Sequence, residues 1–512
     1  MAQITIGAGG DIATGGGKVF VAADSRIIVA DQRGAITGEI AGMSGAVGLA
    51  MTTDGTRLYA ALRDSHQVVA IDTATLNVTR SFDLGANSCP ANLALSGDRL
   101  WVGYGCGGSG GALVLDTSEA APVPVRIRTG FHGSPRVAVA ADTLVVGDVG
   151  ISNADLLVYD INADPATLRG EIPSNGSYLR DLAITSDGST VVTAFEDRFV
   201  FDAWSTRSLA KVRTYGADEA PLQYPVSVAI SPDGAHIAGA IAPTFRNQIG
   251  PDIGLYETES GSKVYANDHS IGWVAINSLA FSGNDLFAVL TGYNGTYLWR
   301  MEGVLLPAST LNVDAPSGGT ALDPLRLTGR LNVTDGSEPG PQTLTVTRQL
   351  PDGTSATLAD ATTAEDGTFE ITDAPPIGGQ IKYGVTWDGD SGHRWSTASV
   401  TVAVTKRQAS LSLSGPQSSV AGKKIQLNGM LDAGGPAVPS GTRLTVVRTV
   451  TAQDGTQVTS QLEPEAVAGD GSFSFADVPE HRGQYTYSIS LSDGTFLPAQ
   501  TSHDVAVRGA QG

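Results

Sequence analysis

The sequence predicts an all-β protein, a seven-bladed β-propeller followed by two tandem β-sandwich domains. A unit of about 44 residues repeats through the first 300 positions, which is the length expected of propeller blades. Two segments of about 100 residues then align with each other, and that is the size of a β-sandwich. Gly is 63 of 512 residues and charged residues are only 16%, a composition that suits many short strands joined by tight turns.

Each repeat reads as a strand, a tight turn, a second strand, a loop and a third strand that ends in a carboxylate. The turn needs positive φ, which Gly, Asn and Asp adopt most easily. It recurs as Gly16-Gly17, Asp54-Gly55, Gly97-Asp98, Ala141-Asp142, Asp187-Gly188, Asp233-Gly234 and Gly283-Asn284. The third strand is expected to end at Asp31, Asp72, Asp116, Asp160, Asp202 and Glu257, whereas the seventh copy departs with Leu298-Trp299-Arg300.

The seventh repeat runs short after Trp299, whereas the chain begins with a segment of strand character, Gln3–Gly7. A propeller has to close, because an open ring leaves an exposed strand edge. We therefore expect the N-terminal segment to supply the outer strand of the last blade. The propeller then spans residues 1–303.

Two aligned segments predict sandwich domains over residues 311–406 and 407–508, after a linker over residues 304–310. Within each strand apolar and polar residues alternate, which places one face in a core and the other in water. The matched stretches are Leu325–Leu331 with Ile425–Leu431, Leu344–Arg348 with Leu444–Arg448, Asp366–Asp373 with Asp470–Asp477, and Tyr383–Trp387 with Tyr487–Leu491.

The repeats resemble the YVTN or YncE type of bacterial propeller, a WD40-like fold, in Asp54–Tyr59, Val68–Asp72 and Ser231–Gly234. This resemblance implies the architecture more than a function, since the family includes binding proteins, scaffolds and a few lyases. The C-terminal segments resemble the Ig-like modules of bacterial surface and secreted proteins, in which Asp-Gly-x-Phe and a later Tyr recur. That resemblance implies spacer or stalk domains outside the cell.

The two cysteines, Cys89 and Cys106, flank the hairpin whose turn is Gly97-Asp98. Counted outward from the turn they fall directly opposite each other, and opposed residues of an antiparallel pair lie about 4.5–5.5 Å apart at Cα, within disulfide reach. We expect a disulfide in the third blade, at the end where its first strand begins. The alternative is a pair of buried free thiols.

The formal net charge is −20 and the 32 basic residues are scattered. Nucleic acid and membrane-surface partners are therefore not expected, because both are held by Lys and Arg acting on phosphates. The sequence has no apolar run of 18 residues, so no membrane insertion is expected, and Met1–Gly10 does not read as a signal peptide. The Ig-like resemblance and the disulfide favour an extracellular or cell-surface location, with the signal already removed.

The sequence contains no Gly-x-Ser-x-Gly, His-Glu-x-x-His, P-loop or dinucleotide-binding fingerprint. We therefore expect neither cofactor nor metal. A propeller usually binds on the face where loops leading into the inner strands meet the loops between second and third strands. The candidate ligand-binding residues in those loops are Arg136, Tyr178, Arg180, Tyr224, Arg246, Trp273 and Tyr293.

Aromatic rings can cover the apolar face of a sugar, while polar neighbours bind its hydroxyls. Tyr, Trp and Arg are also the usual hot spots of protein interfaces, and packing between blades explains any single ring equally well. The leading interpretation is a binding protein, not an enzyme, that recognises a glycan or protein ligand. The Ig-like tandem would act as a spacer or join the protein to a larger extracellular assembly.

Two alternatives remain. One is a propeller lyase or hydrolase, similar to streptogramin lyase, that uses a metal or the loop histidines His66, His132 and His269, although no lyase motif matches residue by residue. Exposed loop histidines are more often plain surface. The other is a structural subunit of an extracellular complex.

Overall fold

The computed structural model describes residues 2–4, 10–174, 176–217, 223–243, 252–267, 272–292 and 295–509, and for residues 2–4, 223 and 243 it describes the backbone. The described residues form strands and connecting turns, with no helix among them that could cross a membrane. The chain divides into two compact units, Met1–Leu305 and Leu306–Gly512.

Twenty-six strands build the first unit within the described residues. They are β1 Ala2–Ile4, β2 Ile12–Gly15, β3 Lys18–Asp31, β4 Ile36–Met51, β5 Arg57–Leu62, β6 Gln67–Asp72, β7 Val78–Asp83, β8 Pro90–Ser96, β9 Arg99–Gly105, β10 Gly110–Asp116, β11 Val125–Phe131, β12 Arg136–Ala140, β13 Thr143–Gly147, β14 Leu156–Asp160, β15 Thr167–Ile172, β16 Leu179–Ile184, β17 Thr190–Phe195, β18 Phe201–Ser205, β19 Lys211–Tyr215, β20 Gln223–Ile230, β21 His236–Pro243, β22 Ile253–Glu257, β23 Lys263–Asn267, β24 Gly272–Ser282, β25 Asp285–Gly292 and β26 Gly295–Met301.

These strands form seven blades in the described part of the chain. Strands β8–β11, β12–β15, β16–β19 and β20–β23 make four-stranded antiparallel sheets, which are the third to sixth blades. The first two blades share the six-stranded sheet β2–β7, because β3 and β4 each run through two strand positions. In the seventh blade the order is β1-β26-β25-β24. The N-terminal strand β1 thus lies at the outer edge of that blade, with Gln3 opposite Tyr297.

The core of the propeller lies between the blades, because each strand sends alternate side chains to opposite faces of its sheet. In β5, Leu58 and Ala60 pack toward the first blade, whereas Tyr59 and Ala61 pack toward the third. Seven such clusters follow one another around the described unit. The last joins residues around Val289 in the seventh blade to residues around Val19 in the first, so the ring of cores is closed.

The seven turns after the inner strands have the predicted positive φ, at Gly16, Gly17, Gly55, Gly97, Ala141, Gly188, Gly234 and Gly283. The predicted strand end at Asp202 is wrong, because β18 continues to Ser205. Asp202 lies buried inside this strand and accepts a hydrogen bond from the Thr214 hydroxyl at 2.6 Å. The Ser205 hydroxyl instead caps the turn by accepting the backbone N–H of Ser208.

Eighteen strands build the second unit within the described residues. They are β27 Ser309–Asp314, β28 Gly319–Thr320, β29 Leu325–Val333, β30 Thr343–Gln349, β31 Ser355–Thr357, β32 Ala361–Thr362, β33 Thr368–Asp373, β34 Gly379–Trp387, β35 Ser396–Thr405, β36 Ser410–Ser414, β37 Ser418–Val420, β38 Ile425–Asp432, β39 Arg443–Thr451, β40 Gln457–Gln461, β41 Glu465–Ala466, β42 Ser472–Asp477, β43 Gly483–Leu491 and β44 Ala499–Arg508.

The second unit consists of two β-sandwiches with the same topology. In the first, sheet β27-β29-β33 faces sheet β28-β35-β34-β30-β31, with the short strand β32 beside β30. In the second, β36-β38-β42 faces β37-β44-β43-β39-β40, with β41 beside β39. Leu327 and Phe369 of one sheet pack against Val346 and Tyr383 of the other to form the first core.

The boundary between propeller and sandwich is narrower than the linker predicted at 304–310. Val304 is buried in the core between the sixth and seventh blades, and the N–H of Leu305 donates to Asn284. On the other side, β27 already begins at Ser309. The connecting stretch is therefore 306–308.

Arg407 joins the two sandwiches to each other. Its guanidinium donates to the Asp323 carboxylate of the first sandwich at 2.6 Å and to the carbonyls of Ala433 and Gly434 of the second. A backbone hydrogen bond from Gly378 to Gly494 spans the same junction. The tandem is thus tied by several directional contacts.

Candidate functional site

One position in the inner strand or directly before it recurs in all seven blades, and three of its residues, Asp11, Asn92 and Arg136, line a cavity described below. The residues there are Asp11, Gly48, Asn92, Arg136, Asp181, Ser227 and Ser278, which we call the channel ring. In five blades the residue paired across to the second strand is small, namely Ala61, Gly103, Gly147, Ala194 or Ala240. A small partner leaves the channel-ring side chain room to reach sideways to the next blade.

The side chains of the channel ring tie neighbouring blades together. Asp11 accepts the N–H of Leu49 at 2.8 Å, and Asn92 donates to the carbonyl of Pro135 at 2.9 Å. Asp181 accepts the Ser227 hydroxyl at 2.8 Å, and Ser227 in turn accepts the N–H of Ser278 at 3.0 Å. These polar side chains therefore have structural partners as well as a position beside the channel.

The one glycine of the channel ring, Gly48, lies too close to the third blade to carry a side chain. A Cβ at Gly48 would lie 2.1 Å from the carbonyl oxygen of Ala91. The backbone of Ala91 thus occupies, beside Gly48, the space that the channel-ring side chain fills in the other six blades.

In five blades a β-bulge directly precedes the channel-ring residue or, in β24, includes it. The bulged residues are Val47, Ala91, Arg180 and Val226, and in β24 the bulge covers residues 275–278. Bulges commonly re-aim side chains at functional sites. Here they widen the set of residues that face the mouth of the channel.

The mouth of the channel is a cavity of about 750 Å³. Its wall is formed by the starts of inner strands together with the loops between second and third strands. The lining residues are Asp11, Val47, Arg63, Cys89, Ala91, Asn92, Gly105, Cys106, Gly107, Ser134, Arg136, Val149, Leu179, Arg180, Ile276 and Asn277. A concave site of this size suits a small ligand or the end of a larger one.

The cavity wall carries three arginines and one carboxyl group. Arg136 donates to the side-chain oxygen of Asn92, and its Nε is buried with no hydrogen-bond partner among the described residues. Arg180 pairs with the Glu196 carboxylate. Arg63 is exposed, and no described residue forms an ion pair with it.

Two carboxyl groups close to Arg136 have raised pKa values. Burial raises the pKa of Asp11 to about 7, although the N–H of Leu49 and the charge of Arg136 act in the opposite direction. Burial likewise raises the pKa of Asp181, against the charge of Arg136. The cavity therefore becomes more positive as the pH falls through neutrality.

A second cavity, of about 380 Å³, adjoins the first and shares Arg180 and Ile276 with it. Partly buried rings of Tyr224 and Trp273 line it. The Tyr224 ring stacks on Phe199 with a centroid distance of 5.7 Å. The two cavities together place aromatic surface next to charged groups.

Four of the seven predicted binding residues line these cavities, namely Arg136, Arg180, Tyr224 and Trp273. Tyr178 is 47% exposed and lines neither cavity; its N–H donates to the carbonyl of Ile151. Arg246 and Tyr293 lie outside the described residues, as does His269.

Sequence reasoning missed Asp11, Arg63, Asn92 and Asn277 as cavity residues. The turn motif could have located the channel ring, since each member precedes its turn by five or six residues. The bulges carry no such signal, because their residues share no common type.

The predicted disulfide between Cys89 and Cys106 is present, with a Cα separation of 5.2 Å. The predicted strand pairing is off by one residue at this point. Counting from the turn places Pro90 opposite Gly105, whereas the bulge at Ala91 pairs Pro90 with Tyr104. The disulfide lies in the cavity wall. His66 lies beside it and is the third member of a group whose possible ligand atoms all lie within 4.8 Å of one another.

His132 does not belong to this group. Its ring lies 3.2 Å from the buried carboxylate of Asp148 and is largely exposed, and it lines neither cavity.

No protein-family model and no curated protein matches this chain. Among solved structures, hydrazine synthase of Kuenenia stuttgartiensis is 18% identical, covers 59% of this chain and 97% of its own, and gives a TM-score of 0.49. The β-propeller domain of Cps50 (Swd1) from Myceliophteria thermophila is 12% identical, with 58% and 98% covered and a TM-score of 0.46. The extracellular domain of a hybrid two-component system from B. thetaiotaomicron is 13% identical, with 78% and 56% covered and a TM-score of 0.44. Likenesses this distant say nothing about what the chain binds.

Proposed function

We propose that this protein is an extracellular binding protein whose channel mouth takes the acidic end of a glycan. The β-sandwich tandem then acts as a spacer or as an assembly module. The disulfide supports a location outside the cell, because such bonds persist in oxidising compartments.

The observation that carries this proposal is the local reversal of charge. The whole chain has a formal net charge of −20, yet the larger cavity is lined by Arg63, Arg136 and Arg180 and by one carboxyl group, Asp11. Arginine is the side chain best suited to a carboxylate or sulfate, because its donors are arranged as a fork. Arg63 is exposed and has no ion-pair partner among the described residues, so it is available for such a ligand.

The adjoining cavity favours a sugar as the carrier of the negative charge. Trp273 and Tyr224 offer apolar rings beside the charged Arg180–Glu196 pair. A pyranose ring has an apolar face for an aromatic ring and hydroxyls for charged neighbours. A flat protein partner would use the rim of the face rather than two connected cavities.

The test is a glycan array with the full chain, followed by calorimetry on the strongest ligands. We expect acidic oligosaccharides to bind and their neutral counterparts to bind at least tenfold more weakly. Arg63→Ala should weaken binding about tenfold, a loss of about 1.4 kcal/mol, and Trp273→Ala should weaken it similarly.

The matched control is Arg33→Ala, which removes the same charge from an exposed turn at the opposite end of the first blade. It should bind as the wild type does. Equal affinity for neutral and acidic glycans, or binding only to proteins, would rule the proposal out.

A second candidate is a hydrolase or lyase that uses Asp11 as a general acid or base. The observation that favours it is a carboxyl group on the cavity wall whose pKa burial raises to about 7, since a catalytic acid or base works best near the ambient pH. Incubation of array ligands with the wild type and with Asp11→Asn, followed by mass spectrometry of the products, distinguishes cleavage from binding.

A further inference from the structure

We propose that reduction of the Cys89–Cys106 disulfide creates a zinc site from the two thiolates and the His66 imidazole, with the fourth position open to the cavity. The oxidised protein has no such site. This inference stands independently of the glycan proposal, because it rests on Cys89, Cys106 and His66 rather than on the arginines.

The distance between the His66 ring and the Cys89 sulfur already suits a shared zinc ion. Zinc binds sulfur at about 2.3 Å and nitrogen at about 2.0–2.1 Å in tetrahedral geometry, which places the two ligand atoms about 3.6 Å apart. Nδ1 of His66 lies 3.8 Å from Sγ of Cys89. This pair therefore needs almost no movement to share a metal ion.

The hydrogen bonding selects the ring nitrogen that would bind the metal. The backbone N–H of Cys89 donates to Nδ1 of His66 at 3.3 Å, so Nδ1 is the acceptor and its lone pair points toward Cys89. The proton of the neutral ring is then on Nε2, which is the tautomer that a metal at Nδ1 requires. The long hydrogen bond to Nδ1 is what the metal would replace.

The backbone holds these two residues in an unusual conformation. His66 has φ +59° and Cys89 has φ +43°, which non-glycine residues rarely adopt. Residues held in this region cluster at functional sites. His66 directly precedes β6, the third strand of the second blade, and Cys89 directly precedes β8, the inner strand of the third blade, so the framework fixes their positions.

The redox step is a thiol–disulfide exchange. A dithiol reductant attacks the disulfide, its own two sulfurs become oxidised to a disulfide, and Cys89 and Cys106 are released as two thiols. Binding of Zn²⁺ then displaces two protons, one from each thiol. The bound ion with two thiolates is neutral overall, as the disulfide is, so the net charge of the cavity wall does not change.

The cysteine that has to move is Cys106. The two sulfurs have to separate to about 3.8 Å to share a tetrahedral zinc ion. Cys106 follows β9 and is flanked by Gly105 and Gly107, and a Cβ at Gly107 would meet nothing within 4 Å. Cys106 also borders the cavity and lies beyond the end of β9, so we expect its side chain to rotate toward the cavity without disturbing the pairing of β8 with β9.

The fourth coordination position would face the cavity, because Cys89 and Cys106 both belong to its lining. Three protein ligands with one open position leave room for water or for an oxygen of a bound molecule. Reduction would thus convert a structural bond in the wall into a point where a ligand can contact a metal ion.

The experiment uses the full chain, reduced with dithiothreitol, freed of the reductant by anaerobic gel filtration and titrated with Co²⁺ as the probe. We expect one Co²⁺ per chain, with the thiolate charge-transfer absorption of a tetrahedral site, and displacement of that signal by Zn²⁺. Zn²⁺ should also protect both thiols from alkylation at least tenfold. The oxidised protein should show none of these effects.

The variant is His66→Ala and the matched control is His132→Ala, which changes another histidine on the same face. His66→Ala should lose at least tenfold in Co²⁺ affinity, and His132→Ala should match the wild type. The thermal midpoint of each oxidised variant shows whether it is folded. Equal Co²⁺ affinity in reduced, folded His66→Ala, or an equal signal from oxidised wild type, would overturn the inference.

Discussion

At the scale of single residues, the partly buried carboxyl group of Asp11 makes stability, and the ligand binding proposed above, depend on pH. Its side chain accepts the N–H of Leu49 and also lines the cavity. A group whose pKa is raised on folding contributes stability that is full below its unfolded pKa and is lost as the pH rises through the folded pKa. For Asp11 that loss is completed above about pH 7.

The same titration sets our expectation for affinity. Between pH 8 and pH 6 Asp11 loses its negative charge, so the affinity for an acidic ligand should rise by about 1 kcal/mol, roughly fivefold. Calorimetry across this range measures it. In Asp11→Asn the affinity should not change with pH. The control is Asp31→Asn, at the far end of the blade, which should keep the pH dependence of the wild type. A wild-type affinity that does not change with pH would contradict the prediction.

His393 is a second residue whose titration affects stability. Burial alone would lower the pKa of His393, but hydrogen bonds to Asp335 and Asp390, each of 3.0 Å, outweigh it and raise the pKa. The stabilising effect is therefore full below about pH 6.5, the ordinary value, and is lost as the pH rises past the raised pKa. We expect His393→Gln to lower the thermal midpoint of the sandwich transition by a few degrees at pH 5.5 and hardly at all at pH 9. A difference that grows with pH would refute this.

At the scale of elements, a Tyr, an Asp and an Arg at equivalent positions connect the two sheets of each sandwich, an arrangement that we call the lock. Tyr383 of β34 donates to Asp373 at 2.7 Å, and Arg348 of β30 donates to both oxygens of that carboxylate. Tyr487, Asp477 and Arg448 repeat the arrangement in the second sandwich. Each lock ties the end of a strand in one sheet to the opposite sheet.

Removal of the tyrosine hydroxyl tests this lock. Tyr383→Phe keeps the packing of the ring but takes one donor from a nearly buried carboxylate, so we expect a loss of about 1–3 kcal/mol in the free energy of unfolding of that sandwich. Urea unfolding of the full chain measures it. The equivalent Tyr487→Phe should lose a similar amount, and no change in either variant would show that the carboxylates find other donors.

The elements also show what could be predicted from the sequence. Turns were located correctly because their positive φ restricts them to a few residue types, as at Gly55 and Gly234. The predicted end of the third strand in the fifth blade is wrong. Asp202 resembles the carboxylate that ends this strand in other blades, but it lies inside the strand, and Ser205 caps the turn instead. Arg136 and Arg180 are predicted from the sequence as candidates. Their neighbours Asp11 and Asn92 lie at a fixed distance from the turns, but their hydrogen bonds to Leu49 and Pro135 of the adjacent blades leave no local pattern in the sequence.

At the scale of the whole molecule, the propeller consists of seven cores in a cycle. The seventh blade receives its outer strand, β1, from the beginning of the chain. Without β1 the backbone groups of β26 form an open edge, which promotes pairing with another chain.

Deletion of residues 1–4 should therefore lower the thermal midpoint of the propeller by several degrees and increase self-association. Differential scanning calorimetry and light scattering measure the two effects. Removal of residues 510–512 is the control and should change neither. A truncated chain as stable and as monomeric as the full one would show that β1 is dispensable.

The cyclic order of the cores has one more consequence, for the fate of the protein after proteolysis. A linear stack that is cut between two layers can fall apart at that point, but here the pieces on either side of a cut still touch at two separate seams. A single nick in a surface loop should leave the fragments associated under native conditions and separable only in denaturant. In a protease-rich environment the propeller would then accumulate several cleaved peptide bonds before it unfolds.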